Sequence, residues 1–311
     1  MTIDVIYETW KGTIGPGALL RHLIQEERMA KTATSAAIPT IPIPADVAEF
    51  LKTGTWTEAG FTMPITKDRG LYQRTAKILE TLGGKWNRKA QAIVFEDQPD
   101  AEVSLHEAIE SGTYVDLRKF YQFFETPPAV SSLLMERLEL RGKQTVLEPN
   151  AGHGALICAI AEFCYDTKHD PQVTAVEVNP DCEYRLRELI GSDSQVLKRL
   201  VMGDFLNIDP VDGLGYFDRI VMNPPFAKNQ DIMHVQHAYK FLAPEGVLVA
   251  VMSPGFTFRS DKKASGFREW LEDIRDTGHA KQASYTTLPP NSFTVSGTNV
   301  NTTRLVIKKG K

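Results

Sequence analysis

The segment Val221-Met222-Asn223-Pro224-Pro225-Phe226 leaves an apolar run through an amide, two prolines and an aromatic ring. Two successive prolines remove two backbone donors and fix two φ angles. They make a stiff corner that turns the Asn223 side chain and the neighbouring carbonyls outward, a form suited to gripping something. Three other segments place polar groups where apolar runs end. In Leu147-Glu148-Pro149-Asn150-Ala151-Gly152-His153-Gly154-Ala155, Gly152 and Gly154 would let the backbone approach a ligand with no Cβ in the way. The full G-x-G-x-x-G phosphate fingerprint is absent, because Leu156 and Ile157 follow Ala155. Glu148, ahead of the glycines, suits a ligand with a cationic amino-acid end better than a pyrophosphate. Glu177, in Ala175-Val176-Glu177-Val178-Asn179, is either a carboxylate for both hydroxyls of a ribose or a solvated strand end. Asp204, in Gly203-Asp204-Phe205, could accept from an adenine amino group while Phe205 packs on the ring, or it could cap the next segment.

The elements around these segments alternate. From about residue 120, apolar strands (TVLEP, QVTAVEV, RLVMGDF, FDRIVMN, GVLVAVMS) are interleaved with amphipathic helices (GALICAIAEFCY, DCEYRLRELIG, IMHVQHAYKFL). That pattern predicts an α/β fold with a parallel, doubly wound, Rossmann-like sheet. Ligands of such sheets bind beyond the carboxyl ends of the strands, where all four segments fall. Ahead of it, residues 17–31 read as an amphipathic helix and 32–44 as a proline-studded linker. Residues 45–118 read as a small α+β module, with a helix over DRGLYQRTAKILETLGG and a turn leading into a strand over KWNRKAQAIVFED. The expected divisions are 1–44, 45–118 and 119–311.

Taken in order, the segments resemble the class I S-adenosylmethionine-dependent methyltransferases. EPNAGHG is similar to their motif I, VEVNPD to the acidic second strand, GDF to the third and NPPF to motif IV of the amino-group enzymes. Phe123-Phe124-Glu125-Thr126-Pro127-Pro128 resembles motif X, and motif X before motif I before motif IV is the order of the γ-type DNA N6-adenine methyltransferases. The resemblance covers roughly residues 120–308. It implies S-adenosylmethionine as cofactor, held by Thr126, Pro127, Glu148, Pro149, Asn150, Gly152, Gly154, Glu177, Val178, Asp204, Phe205 and Asn223. It implies that the Asn223 oxygen and the Pro224 carbonyl accept the two hydrogens of an adenine amino group, with Pro225 stiffening the corner. Two acceptors so aimed favour a pyramidal nitrogen and take up its developing charge, while orientation supplies near-attack geometry. Phe226 would stack on a flipped base, and Phe293, in Leu288-Pro289-Pro290-Asn291-Ser292-Phe293, would stack on its other face or belong to the core.

NPPF-type corners also occur in enzymes acting on guanine N2 of ribosomal RNA, and NPPY-type relatives act on a glutamine amide. A non-catalytic DNA-binding subunit is a third alternative. The net charge of −4 does not announce a nucleic-acid binder, so double-stranded DNA would meet local basic faces. One candidate face is residues 67–89, with Lys85, Arg88 and Lys89 beside Tyr72 and Trp86; the other is Arg259, Lys262 and Lys263 in a Ser- and Lys-rich loop whose composition suggests mobility. With no recognition domain following the last strand, a homodimer is expected, and a restriction-modification or orphan setting stays open. His153, His234 and His237 offer no third ligand nearby in sequence, so no metal site is expected. Cys158, Cys164 and Cys182 lack metal spacing, and no apolar run would span a membrane; a reduced, cytoplasmic protein is the expectation.

Overall fold

The computed structural model describes residues 39–95, 101–116, 124–190, 196–296, 298 and 300–311. The expected helix over 17–31 and Phe123 lie outside them. The chain divides into two compact units, residues 1–116 and 117–311.

In the first unit the end of the proline-rich stretch forms a short strand, β1 (Ile41–Pro42), rather than a free linker. It is followed by α1 (Ala45–Lys52), β2 (Thr55–Thr57), β3 (Gly60–Thr62), α2 (Arg69–Thr81), β4 (Lys85–Asn87), β5 (Ala92–Val94), α3 (Ala101–Ser111) and β6 (Thr113–Tyr114). β1 pairs with β6, and the other strands form an antiparallel sheet in the order β2-β3-β5-β4. Helix α2 starts where the Asp68 carboxylate accepts from the Leu71 amide at 3.0 Å. Its apolar stripe places Ile78 and Leu79 in a core with Val47, Leu51, Phe61, Ile93 and Leu105. KWN is a strand of its own, because a tight turn over residues 88–91 folds it back onto β5.

The second unit comprises α4 (Pro128–Leu138), β7 (Thr145–Glu148), α5 (Ala155–Thr167), β8 (Gln172–Glu177), α6 (Glu183–Ile190), β9 (Leu197–Met202), β10 (Phe217–Met222), α7 (Gln230–Lys240), β11 (Leu242–Met252), α8 (Gly255–Phe258), α9 (Lys262–Asp276), β12 (Ala280–Thr287) and β13 (Thr303–Lys309). Its seven strands run in the order β12-β13-β11-β10-β7-β8-β9. The central strands are apolar throughout because both faces are covered. Val146, Val221, Val249 and Val251 face α4, α5 and α6, while Leu147, Ile220, Met222, Leu248 and Ala250 face α7 and α9.

The α/β, Rossmann-like class is as expected, with one difference: the sheet is mixed. β13 runs antiparallel to both β11 and β12. The β12–β13 connection holds a short 3-10 turn (Thr294–Ser296) and no α-helix among its described residues, and β13 inserts between β12 and β11. β7 and β10 are adjacent, and the chain winds outward from them in opposite directions. Their carboxyl ends therefore border the crevice that such sheets use for ligands.

Candidate active site

The β10 end is held by its neighbours. The Asn223 Nδ2 donates to the Phe124 carbonyl at 3.1 Å and to the Thr126 hydroxyl at 3.1 Å. A carbonyl can only accept, so the contact with Phe124 fixes which end of the amide is nitrogen. Oδ1 then points away from that loop, and no group among the described residues donates to it. Pro224 is buried, while Pro225 and Phe226 are half-buried, with Phe226 against the α4–α6 core. Thr126 is itself buried one step before Pro127 and Pro128, which open α4 where a missing N–H costs nothing. The Ser296 hydroxyl donates to the Glu125 carbonyl at 2.6 Å and pins the same loop from the β12–β13 connection.

The β7 end is different. Glu148 is 1% exposed, and its Oε2 has no hydrogen-bond partner among the described residues. Burial, with the nearby Glu177 charge adding to it, pushes its carboxyl well above the usual carboxylate range. The buried Asn150 Oδ1 likewise has no partner among them. Asn150 Nδ2 lies 3.1 Å from His234 Nδ1, a contact that joins the glycine loop to α7. Burial lowers His234 to about 4, so the imidazole is neutral near pH 7. Gly154 has φ +87, and a Cβ there would run into Leu189, so glycine is required for conformation and for space.

Glu177 binds the loops together. Its oxygens accept from the amides of Gly152 (2.6 Å) and Asn179 (2.6 Å), and burial raises its pKa against those hydrogen bonds. Backbone bonds from Ala151 to Val176 (3.0 Å) and from Gly203 to Glu177 (2.7 Å) complete the link across β7, β8 and β9. Val178 follows on the same turn. The Asp204 carboxylate accepts from the Leu206 amide at 3.0 Å and caps the short turn that follows.

Two aromatic residues expected at the site are buried. Phe205 is 2% exposed and packs on His237 and Phe241, at ring separations of 4.9 and 5.1 Å, so it serves the core rather than offering a face. Phe293 is 1% exposed in the α4–α6 core. Its carbonyl accepts from the Ser296 and Thr298 amides, and that turn carries the ring inward. The loop around Arg259, Lys262 and Lys263 is anchored rather than loose. Asp261 caps α9 and accepts from Asn229 at 3.1 Å, and the Lys263 ammonium donates to the Lys228 carbonyl at 3.3 Å.

Sequence reasoning missed Asp231 and the structural use of His234. Asp231 is buried at the start of α7 and accepts from the Ser253 amide at 2.9 Å, joining that helix to the end of β11. Burial raises its pKa to about 6. An acidic residue eight positions past Asn223 is a signal, but nothing local reveals its partner. Among the described residues no group of three or more His, Cys, Asp and Glu could hold a metal ion, and no helix is long and apolar enough to cross a membrane.

In the first unit, Lys85, Arg88 and Lys89 are exposed with Trp86 (53%) on the β4–β5 hairpin. Asn87 Oδ1 accepts from the amides of Lys89 (2.9 Å) and Ala90 (3.1 Å) and shapes the turn. Elsewhere in the same stretch Arg74 pairs with Asp46, and Lys77 with Glu80, so part of its charge is already used.

Residues 128–261 match a family model described as the methyltransferase small domain. A Dictyostelium discoideum protein named "Probable dimethyladenosine transferase" is 29% identical over 100 residues, which are 32% of this chain and 29% of that protein. The type I restriction-modification methyltransferase subunit from Streptococcus thermophilus is similar in structure, with a TM-score of 0.50 and 21% identity, over 69% of this chain and 50% of that one. The chain thus spans half or less of the length of these relatives. The matched residues lie in the second unit, so the similarity to methyltransferases falls on the part of the chain that carries the ends of β7 and β10. The β7 end suits a cationic ligand, since a buried carboxylate without a partner among the described residues is costly alone and satisfied by a positive charge.

Proposed function

We propose that the chain transfers a methyl group from S-adenosylmethionine to the exocyclic N6 amino group of an adenine in DNA. The observation that carries the proposal is the Asn223 amide, whose nitrogen is fixed by Phe124 and Thr126 and whose oxygen is left open at the end of β10. When bound, S-adenosylmethionine supplies a methyl group on a positively charged sulfur. Glu148, Asn150 and the backbone at Gly152 and Gly154 would hold its amino-acid end, with Thr126, Pro127, Glu177, Val178 and Asp204 around the remainder. Asn223 Oδ1 and the Pro224 carbonyl accept the two amino hydrogens of the adenine, which turns the nitrogen lone pair out of the ring and stabilises the developing positive charge. Asn223 is neutral and takes no proton, so the proton displaced from nitrogen leaves to solvent. Pro224 and Pro225 fix the direction of these acceptors, and Phe226 offers a ring to the base.

A paired base cannot reach this corner, so the adenine is flipped or already unpaired. Lys85, Arg88 and Lys89 on their hairpin, with Arg259, Lys262 and Lys263 beside α9, would contact phosphates. A homodimer would supply recognition from a second copy, which the mass of the protein in solution tests. The dimethyladenosine transferase likeness favours adenosine as the ring and supports a second reading in which the carrier is RNA.

Labelled-methyl transfer to duplex DNA, ribosomal RNA and protein, with wild type and Asn223→Ala, separates the readings. Label in DNA that disappears in the variant is expected; label confined to RNA or protein overturns DNA as the substrate.

A further inference from the structure

Phe258 has no part in the chemistry above, yet it stands on α8 at the exit of β11, the strand beside β10 and its Asn223 corner. Two residues earlier, Phe256 is buried edge-on to Phe267 (5.4 Å) and Tyr285 (5.2 Å) and anchors the turn. Phe258 is 71% exposed, which forgoes the hydrophobic gain its neighbour collects.

The turn that presents it is clamped on both sides. The Thr257 hydroxyl donates to the Pro254 carbonyl at 2.8 Å. The Arg268 guanidinium donates to the Phe256 and Arg259 carbonyls at 2.6 and 2.9 Å, bracketing Phe258. Asp261, bonded to Asn229, ties this turn to the segment that follows Phe226. The backbone that carries the ring is thus ordered before it meets a partner, which lowers the entropy lost on contact. Arg259 and Lys262, one and four residues further along, are exposed on the same segment, and their positive charge complements a phosphate backbone.

We propose that Phe258 inserts beside the base pair that opens, stacking on the neighbouring bases and filling the space the flipped adenine vacates, while the flanking cations hold the phosphates. Apolar wedges between base steps lower the cost of a distorted duplex in this way. The inference rests on the DNA reading of the Asn223 corner and adds what opens the duplex there.

The test compares labelled-methyl transfer to one unmethylated bacteriophage DNA, used as duplex and as heat-separated single strands. Single strands need no wedge. Phe258→Ala is expected to lower the duplex-to-single-strand rate ratio about tenfold, since unstacking is required only in the duplex, with Phe258→Trp restoring the ratio and cofactor affinity unchanged in both. An unchanged ratio, with equal loss on both DNA forms or no loss on either, overturns the wedge. A changed mass of the protein in solution with an unchanged ratio assigns the ring to a contact between copies and also overturns it. Wild type inactive on both forms removes the DNA reading itself, an outcome distinct from the others.

Discussion

The carboxyl ends of β7 and β10 lie side by side and are built on opposite plans. At β7, polar atoms are buried and left open: Glu148 Oε2 and Asn150 Oδ1 have no partner among the described residues. At β10, the donor side of Asn223 is saturated by Phe124 and Thr126, and only its acceptor side is open. An unpartnered buried carboxylate costs stability until a ligand arrives, so in the proposed reaction the β7 end would serve binding. A fixed amide needs little rearrangement when its acceptor is used, so in the proposed reaction the β10 end would serve orientation. The contrast predicts that substitutions at the two ends separate into effects on affinity and effects on turnover.

The sharpest break is at β10. Asn223→Ala should lower kcat by about 10³-fold, the scale of losing one preorganised charge-stabilising group, while the dissociation constant of S-adenosylmethionine stays within about threefold. Steady-state kinetics and equilibrium binding read the two separately. A parallel loss of binding would erase the contrast.

At β7 the effect falls on affinity. Burial and the Glu177 charge raise the Glu148 pKa, and a cationic ligand favours the carboxylate. Cofactor binding should therefore release a proton, and affinity should rise with pH as the free-protein carboxyl ionises. Glu148→Gln should weaken binding by roughly 100-fold and abolish the proton release. Titration calorimetry in buffers of different ionisation heat checks both.

A smaller effect belongs to the strut behind β10. The Asp231 carboxyl is raised from 3.8 to about 6. Its raised folded-state pKa stabilises the protein below pH 4, and that contribution is lost as pH rises through 6. The lowered His234 pKa acts in the opposite sense, costing stability as pH falls from 6.5 towards 4. Asp231→Asn keeps an acceptor for Ser253 and should add about 1–2 kcal/mol at pH 7 and nothing at pH 4. Thermal unfolding of both proteins across that range decides it; a parallel shift at all pH values would mean that the side chain acts through packing alone.

Much of this was legible in the sequence because chemistry and element ends coincide. Asn223-Pro224-Pro225-Phe226 and the Glu148–Gly154 loop each follow a buried strand, and the alternation of strands with amphipathic helices implied the crevice they share. What escaped depends on long-range geometry. The apolar run of β13 reads the same in either direction, so its antiparallel placement has no local signature. Phe205 and Phe293 sit in turns, where a few dihedral angles decide whether a ring faces the ligand or the core. The contacts of Asn150 with His234 and of Asp231 with Ser253 join residues 84 and 22 positions apart, beyond any periodicity. KWN looked like a turn because Asn87 and the charges around it are turn residues, yet its pairing with β5 makes it a strand.

The most direct measurement is the identity of the methylated nucleoside after duplex DNA is incubated with the protein and labelled S-adenosylmethionine, hydrolysed and separated by chromatography. An orienting amide at the end of β10 predicts that the label migrates with N6-methyladenine and vanishes in Asn223→Ala. Label on cytosine or guanine, or N6-methyladenine undiminished in the variant, would contradict it.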